Sequence, residues 1–190
     1  DASGLPFPNL SSVSLDNAQA AKMAIDHLAQ LGHRKFAIIG GHLSSSDTTQ
    51  LRFQGCMESF REHGIAFDLD LDYEPSFFSF ADGYRAAKFL LDQGRDFTAM
   101  FAMSDVIAIG AIRALKDAGR RVPEDVSVVG FDGLTIGDYT TPRLTTITQP
   151  IQELAQRSLQ FLLENIEGKQ HSRHEAVPVA LDCKESAQRL

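Results

Sequence analysis

Along the chain, short apolar runs rich in β-branched and aromatic residues alternate with longer stretches of helical period, which predicts βα units built on a parallel sheet. Ser11 to Leu15 is a first extended run. Asp16 then caps a helix whose apolar stripe runs Ala21, Ile25, Leu28, with Lys22, Asp26 and Gln30 on the wet side and Gly32 in the left-handed position that ends it. Phe36 to Ile39 reads as a buried strand, Arg52 to His63 as a helix stopped by Gly64, and Leu69 to Tyr73 as a weaker strand. Tyr84, Ala87 and Leu91 mark a third helix closed by Gly94, and Thr98 to Met103 a further strand. Val106 to Ala118 is a helix closed by Gly119. Val126 to Phe131 is another buried strand, with Pro123 just ahead of it, where a missing N–H costs no ladder bond. After Phe131 the rhythm breaks. Asp132 to Thr141 is polar, Leu144 to Gln149 is extended, and Pro150 opens a long helix reaching Gly168. Lys169 to Glu175 is a polar linker and Val177 to Leu181 a last strand; there is no internal repeat, low-complexity tract or heptad pattern.

Composition narrows what such a chain can do. At 190 residues and 43% hydrophobic it can bury the core of one sizeable domain or two small lobes. A formal net charge of −7 is a poor match for nucleic acid, whose binding depends on clustered Lys and Arg, so any DNA contact is expected outside this chain. Cys56, on the apolar side of its helix beside Phe53, Met57 and Phe60, and Cys183 are expected to be free thiols in a reducing cytoplasm. No apolar run approaches the ~20 residues needed to cross a bilayer. Asp1 to Leu10 lacks the basic-then-apolar order of a signal peptide.

In open parallel sheets, ligands bind beyond the carboxyl ends of the strands. Gly40, Gly41, Ser44, Ser45, Ser46, Asp47 and then Arg52 follow the Phe36–Ile39 strand. Phe77 and Phe78 follow the second strand, Ser104 and Asp105 the third, and Asp132 the fourth. An arginine, aromatic faces, a hydroxyl and carboxylates thus converge on one edge, which suits a small, polar, hydroxyl-rich ligand. Each residue also has a plainer reading. Asp105 could cap its helix, Asp132 with Gly133 could form a turn, the phenylalanines could be core, and Arg52 could pair with a surface acid such as Glu58. His33, beside Gly32, is read as structural. No G-x-S-x-G elbow, H-E-x-x-H, C-x-x-C or P-loop occurs, so neither an enzyme nor a cofactor or metal site is expected. Asp105 and Asp132 could also be read as a general acid and base, which spacing alone does not separate from ligand recognition. The apolar positions Val106, Ile109 and Ile112 make a stripe broader than one sheet face requires, and are expected to meet a partner.

Several runs carry a family likeness: Ser14-Leu15-Asp16-Asn17, Leu31-Gly32-His33-Arg34, Ile38-Ile39-Gly40-Gly41, Arg52-x-x-Gly55, Phe101 to Asp105, Val122 to Asp132, and Pro142 to Pro150. In this order, from about Val13 to Ser186, they resemble the lactose/galactose repressor family. The resemblance implies a two-lobed α/β fold like that of periplasmic sugar-binding proteins, with parallel sheets flanked by helices. It implies an effector held between the lobes, a carbohydrate, in a cytoplasmic homodimer that grips operator DNA through a headpiece outside this chain. Residues 1–34 would end an incomplete amino-terminal lobe, 35–146 form the carboxyl-terminal lobe, 147–170 return to the first lobe, and 171–190 add the final strand and tail of the second. A half-lobe would leave apolar sheet exposed, so the chain is expected to be a fragment of a longer protein. The family's effector contacts fall on Arg52, Phe78, Ser104, Asp132 and Gln149. The family pattern has Asn where Ser104 stands, a polar residue where Gly133 stands, and Arg-x-Ser where Lys184-Glu185-Ser186 stands. The alternative is a periplasmic sugar-binding protein of a transporter; an enzyme of flavodoxin-like or nucleotide-binding architecture ranks third.

Overall fold

A computed structural model describes residues 11–168 and 173–190. Among the described residues, six strands form one sheet in the order β3-β2-β4-β5-β6-β8. These are β2 (Phe36–Gly40), β3 (Tyr73–Pro75), β4 (Ala99–Ala102), β5 (Ser127–Asp132), β6 (Thr145–Thr148) and β8 (Ala180–Asp182). All pairings are parallel except β8, which runs antiparallel to β6. A second sheet pairs β1 (Ser12–Leu15) with β7 (His174–Val177) in parallel.

The alternation within β2 shows how the sheet is covered. Phe36 and Ile38 point to the face packed by α1 (Asn17–Gln30) and α2 (Asp47–Glu62), with Leu28, Cys56 and Phe60. Ala37 and Ile39 point to the other face, packed by α4 (Phe80–Asp92) and α5 (Asp105–Asp117) through Ala87, Leu90, Ile107 and Leu115. Both faces are buried, which is why the strands read as continuous apolar runs rather than alternating ones. The helices start on the signals their sequence carries: Asp16 accepts the Gln19 N–H at 2.9 Å, Ser46 that of Thr49 at 3.3 Å, and Ser79 that of Asp82 at 3.1 Å. Glycines let the helices of each layer touch backbone to backbone. A Cβ on Gly55 of α2 would lie 1.9 Å from the Ala18 carbonyl oxygen of α1, and one on Gly110 of α5 2.1 Å from that of Phe80 on α4.

Three expected elements differ. Helix α2 begins at Asp47 rather than Arg52, because the Ser46 cap starts it within a polar stretch that has no apolar period. Leu69 to Tyr73 is not a strand. Asp68 accepts the Asp70 N–H and opens a helical turn, α3 (Leu69–Asp72), with Leu69 and Leu71 exposed, and only Tyr73–Pro75 pairs with β2. Val177 to Leu181 is divided between the two sheets as β7 and β8, with Pro178, which has no N–H to give a ladder, in the break. Within this carboxyl-terminal segment β7 thus pairs with β1 and β8 with β6. The last helix, α6 (Ile151–Ile166), follows Pro150 and buries Phe161, while Ile151, Leu159, Leu162, Leu163 and Ile166 stay exposed. The expectations for Asp1 to Leu10 and for residues 169–172 of the linker lie outside the described residues.

Candidate ligand-binding site

Three of the expected site residues, Ser104, Asp132 and Gln149, sit at the carboxyl ends of β4, β5 and β6 and are linked to one another. Asp132 ends β5. Its Oδ2 accepts the Ser104 hydroxyl at 2.8 Å and its Oδ1 accepts the Gln149 side-chain amide at 2.7 Å. Ser104 occupies the cap position of α5 yet makes no side-chain cap bond, so its hydroxyl is turned to Asp132 instead. Asp132 adopts φ 130°, a conformation that L-residues rarely take. Gln149 also joins the end of β6 to β5, donating its N–H to the Asp132 carbonyl at 3.2 Å.

Arg52 reaches the same edge from α2 and is more deeply built in than a surface arginine. Its Nε donates to Asn17 Oδ1 at 3.0 Å, one terminal nitrogen donates to the Met103 carbonyl at 2.6 Å, and the guanidinium lies 3.5 Å from the centre of the Phe131 ring. Burial lowers its pKa to about 10, against the opposing pull of Asp132, and it remains charged at neutral pH. Its fork is thus held by two protein acceptors, through Nε and one terminal nitrogen. Arg52 is therefore not paired with Glu58, and its truncation would cost packing. Asn17, which sequence reading passed over, orients Arg52 from the first turn of α1. Its place beside the helix-capping Asp16 hid that role.

The remaining candidates fall elsewhere. Phe78 is half-exposed, and a Cβ on Gly41 would lie 3.2 Å from its ring, which places the ring over Gly41 and near Thr49, one turn before Arg52 on α2. Phe77 is more exposed and its ring lies 5.5 Å from that of His42. Asp105 is not a pocket residue. It has 0% exposure; Oδ1 accepts the Thr146 hydroxyl at 2.5 Å and Oδ2 the Leu134 N–H at 2.6 Å, and burial pushes its carboxyl up to about 6. Nor does it cap its own helix. His33 is structural: its N–H bonds the Leu28 carbonyl to close α1, while the ring meets Thr98, Ser127 and the Gln188 carbonyl. Cys56 and Cys183 are unpaired thiols. Of the apolar stripe on α5, Val106 and Ile109 are half-buried, whereas Ile112 is 5% exposed and belongs to the core, so it offers a partner almost nothing. Beside Ile109, an apolar groove of about 540 Å³ is lined by Phe80, Ala81, Tyr84, Gly110 and Arg113. A polar groove of about 880 Å³ runs from Gln149 and Gly133 along α6.

Two linked carboxylate oxygens, a hydroxyl, an amide and a braced guanidinium offer donors and acceptors at close spacing, the complement of a polyhydroxylated molecule. Known proteins share this frame. A periplasmic binding protein-like domain matches residues 25–187. A LacI-family transcriptional regulator from Enterococcus faecium, solved with bound ribose, superposes with a TM-score of 0.89 at 31% identity, over 97% of this chain and 68% of that one. The chain belongs to the LacI family. It is also similar to the helix-turn-helix-type transcriptional regulator CelR of Thermobifida fusca, 34% identical over 166 residues, which cover 87% of this chain and 48% of CelR. A CelR–cellobiose complex superposes with a TM-score of 0.90 at 32% identity, over 96% of this chain and 56% of that one. These LacI-family relatives are transcription regulators rather than enzymes or transporter components. The chain spans about half the length of the curated relatives it matches. Among the described residues, no helix is long and apolar enough to cross a membrane.

Proposed function

We propose that this LacI-family chain is the effector-binding part of a cytoplasmic transcription regulator, and that its effector is a small hydroxyl-rich molecule, a sugar or sugar-like compound. The observation that carries the reading is the linked set Ser104–Asp132–Gln149 facing the braced Arg52. Asp132 accepts from adjacent hydroxyls, Arg52 donates to a ring or hydroxyl oxygen, and Phe78 covers the apolar side of the ring. The ribose and cellobiose held by similar regulators favour the same ligand class. Operator DNA is bound by a helix-turn-helix outside these residues, as the net charge of −7 leaves this part unsuited to phosphates. The protein is a homodimer, joined in part through the groove of Phe80, Tyr84 and Ile109, and its two-fold axis suits a palindromic operator.

The test is a thermal-shift screen of the intact protein against sugars, sugar phosphates, nucleosides and purines. At a ligand concentration of 100 Kd, native-state binding adds about 2.7 kcal/mol, a readily measured rise in the midpoint. A hit confined to purines or nucleosides overturns the sugar class. A hit whose affinity is unchanged by Asp132→Gly overturns the placement of the site.

A further inference from the structure

We propose that Asp105 is a positioning residue: from inside the core it holds the backbone that follows β5 and thereby aims the Asp132 carboxylate at the sheet edge. The geometry stands on the fold alone, whereas its consequence for binding rests on the ligand-site reading given above.

Ser104 and Asp105 are adjacent at the start of α5 and divide one task. Ser104 takes the side chain of Asp132 at 2.8 Å. Asp105 takes the main chain just beyond it, with Oδ2 accepting the Leu134 N–H at 2.6 Å. Its Oδ1 accepts from Thr146 of β6 at 2.5 Å, so the carboxylate is fixed to the sheet before it fixes the loop. Strand β5 makes room for it: a Cβ on Gly130 would lie 2.4 Å from Asp105 Oδ1. The loop needs such a hold. Asp132 sits at φ 130° and Gly133 at φ 75°, and a strained non-glycine residue persists only where its surroundings over-determine it. Asp105 does so from the core side, Ser104 and Gln149 from the edge. With 0% exposure and all its described partners internal, Asp105 itself touches no ligand.

Hydrogen exchange followed by mass spectrometry on the ligand-free, full-length protein tests the hold. In Asp105→Ala, peptides containing Gly133 and Leu134 should exchange at least tenfold faster, while those from α1 and β2 change little. Asp105→Asn should restore slow exchange, since its amide oxygen accepts the Leu134 N–H and its NH2 meets the Thr146 oxygen. Leu134→Pro is a second route that leaves the core intact, because Leu134 sits at φ −70°, which proline adopts, and only its N–H is lost. It should loosen Gly133 and its neighbours alone. Unchanged exchange at Gly133 in both Asp105→Ala and Leu134→Pro overturns the proposal. So does a rise shared equally by all peptides of both variants, which would make Asp105 an ordinary core residue. Calorimetry with cellobiose then separates the two readings. Asp105→Ala and Leu134→Pro should weaken binding about tenfold and Asp105→Asn less than threefold. Affinity lost in Asp132→Gly but kept in both loosened variants overturns the positioning role alone. Local loosening with no effect of any variant on cellobiose binding overturns the ligand site and leaves the hold intact.

Discussion

Gly55→Ala puts a close helix contact of the fold to a direct test, because local and tertiary effects predict opposite signs. In an isolated helix the change gains about 1 kcal/mol, since alanine loses less backbone entropy. In this protein the new methyl would lie 1.9 Å from the Ala18 carbonyl oxygen, 2.7 Å from its carbon and 3.0 Å from its Cα. All three atoms are backbone, so no rotamer relieves the clash, and α1 must move from α2 by more than an ångström. That separation would loosen an interface that includes Ile25, Leu28 and Phe60, all buried. Overpacking a tight core costs about 1–3 kcal/mol and sometimes more, and two rigid backbones place this case at or above the upper end. Net destabilisation of about 2 kcal/mol follows, which for a domain of this size lowers the melting midpoint by about 4–8 °C. Circular dichroism melts of wild type and variant measure it. Arg52 Nε and Asn17 Oδ1 bridge the same two helices one turn away at 3.0 Å, so effector affinity should fall with stability. An unchanged or higher midpoint would refute the backbone contact and the bracing of Arg52 that depends on it.

Three further outcomes are expected. Asp132→Gly relieves the φ of 130° while removing the acceptors for Ser104 and Gln149. Its stability should therefore change little, but calorimetry should show the screened effector binding about thirtyfold more weakly, a loss of about 2 kcal/mol; wild-type affinity would show that the site lies elsewhere. Asp105 has a folded pKa raised to about 6 by burial, above the ordinary 3.8, so the native state binds its proton more readily than the unfolded chain does. Stability from this group is complete below pH 4 and is lost as pH rises through 6. Asp105→Asn should accordingly be the more stable protein at pH 8, by about 1–3 kcal/mol, and gain nothing at pH 4; urea melts giving the same gain at both values would contradict the burial argument. Ile109→Glu places a charge in the groove beside Phe80 and Tyr84. It should shift sedimentation of the intact protein from dimer to monomer, and an unchanged profile at concentrations where wild type is dimeric would move the interface elsewhere.

The parts of this fold legible in the sequence are those whose cause is local. The Asp16 cap, the glycine ends at Gly32, Gly64, Gly94 and Gly119, and the apolar runs of β2, β4 and β5 each depend on residues within a few positions. Where a neighbour distant in sequence decides, local patterns mislead. Leu69-Asp70-Leu71-Asp72 alternates like a strand, yet Asp68 turns it into a helix and only Tyr73–Pro75 pairs with β2. Val106, Ile109 and Ile112 share one apolar stripe, but α4 covers only part of α5, which leaves Ile109 half-open and takes Ile112 into the core.

The site divides along the same line. Ser104, Asp132 and Arg52 are legible because each follows a strand of the sheet, and topology alone puts them at its carboxyl edge. The roles of Arg52 and Asp105 depend on contacts that no spacing announces. Arg52 is held by residues 35 and 51 positions away and stacks on Phe131. Asp105 differs from Ser104 by one residue at a helix start, where the chain turns about 100° per residue. That single step carries one side chain to the open edge and the next into the core. It meets Thr146, 41 positions on, in space that Gly130 leaves free. The proposed ligand site is therefore a two-layer arrangement. The polar groups at the edge are readable from strand order, whereas the buried groups that set their angles become readable only once the sheet is assembled.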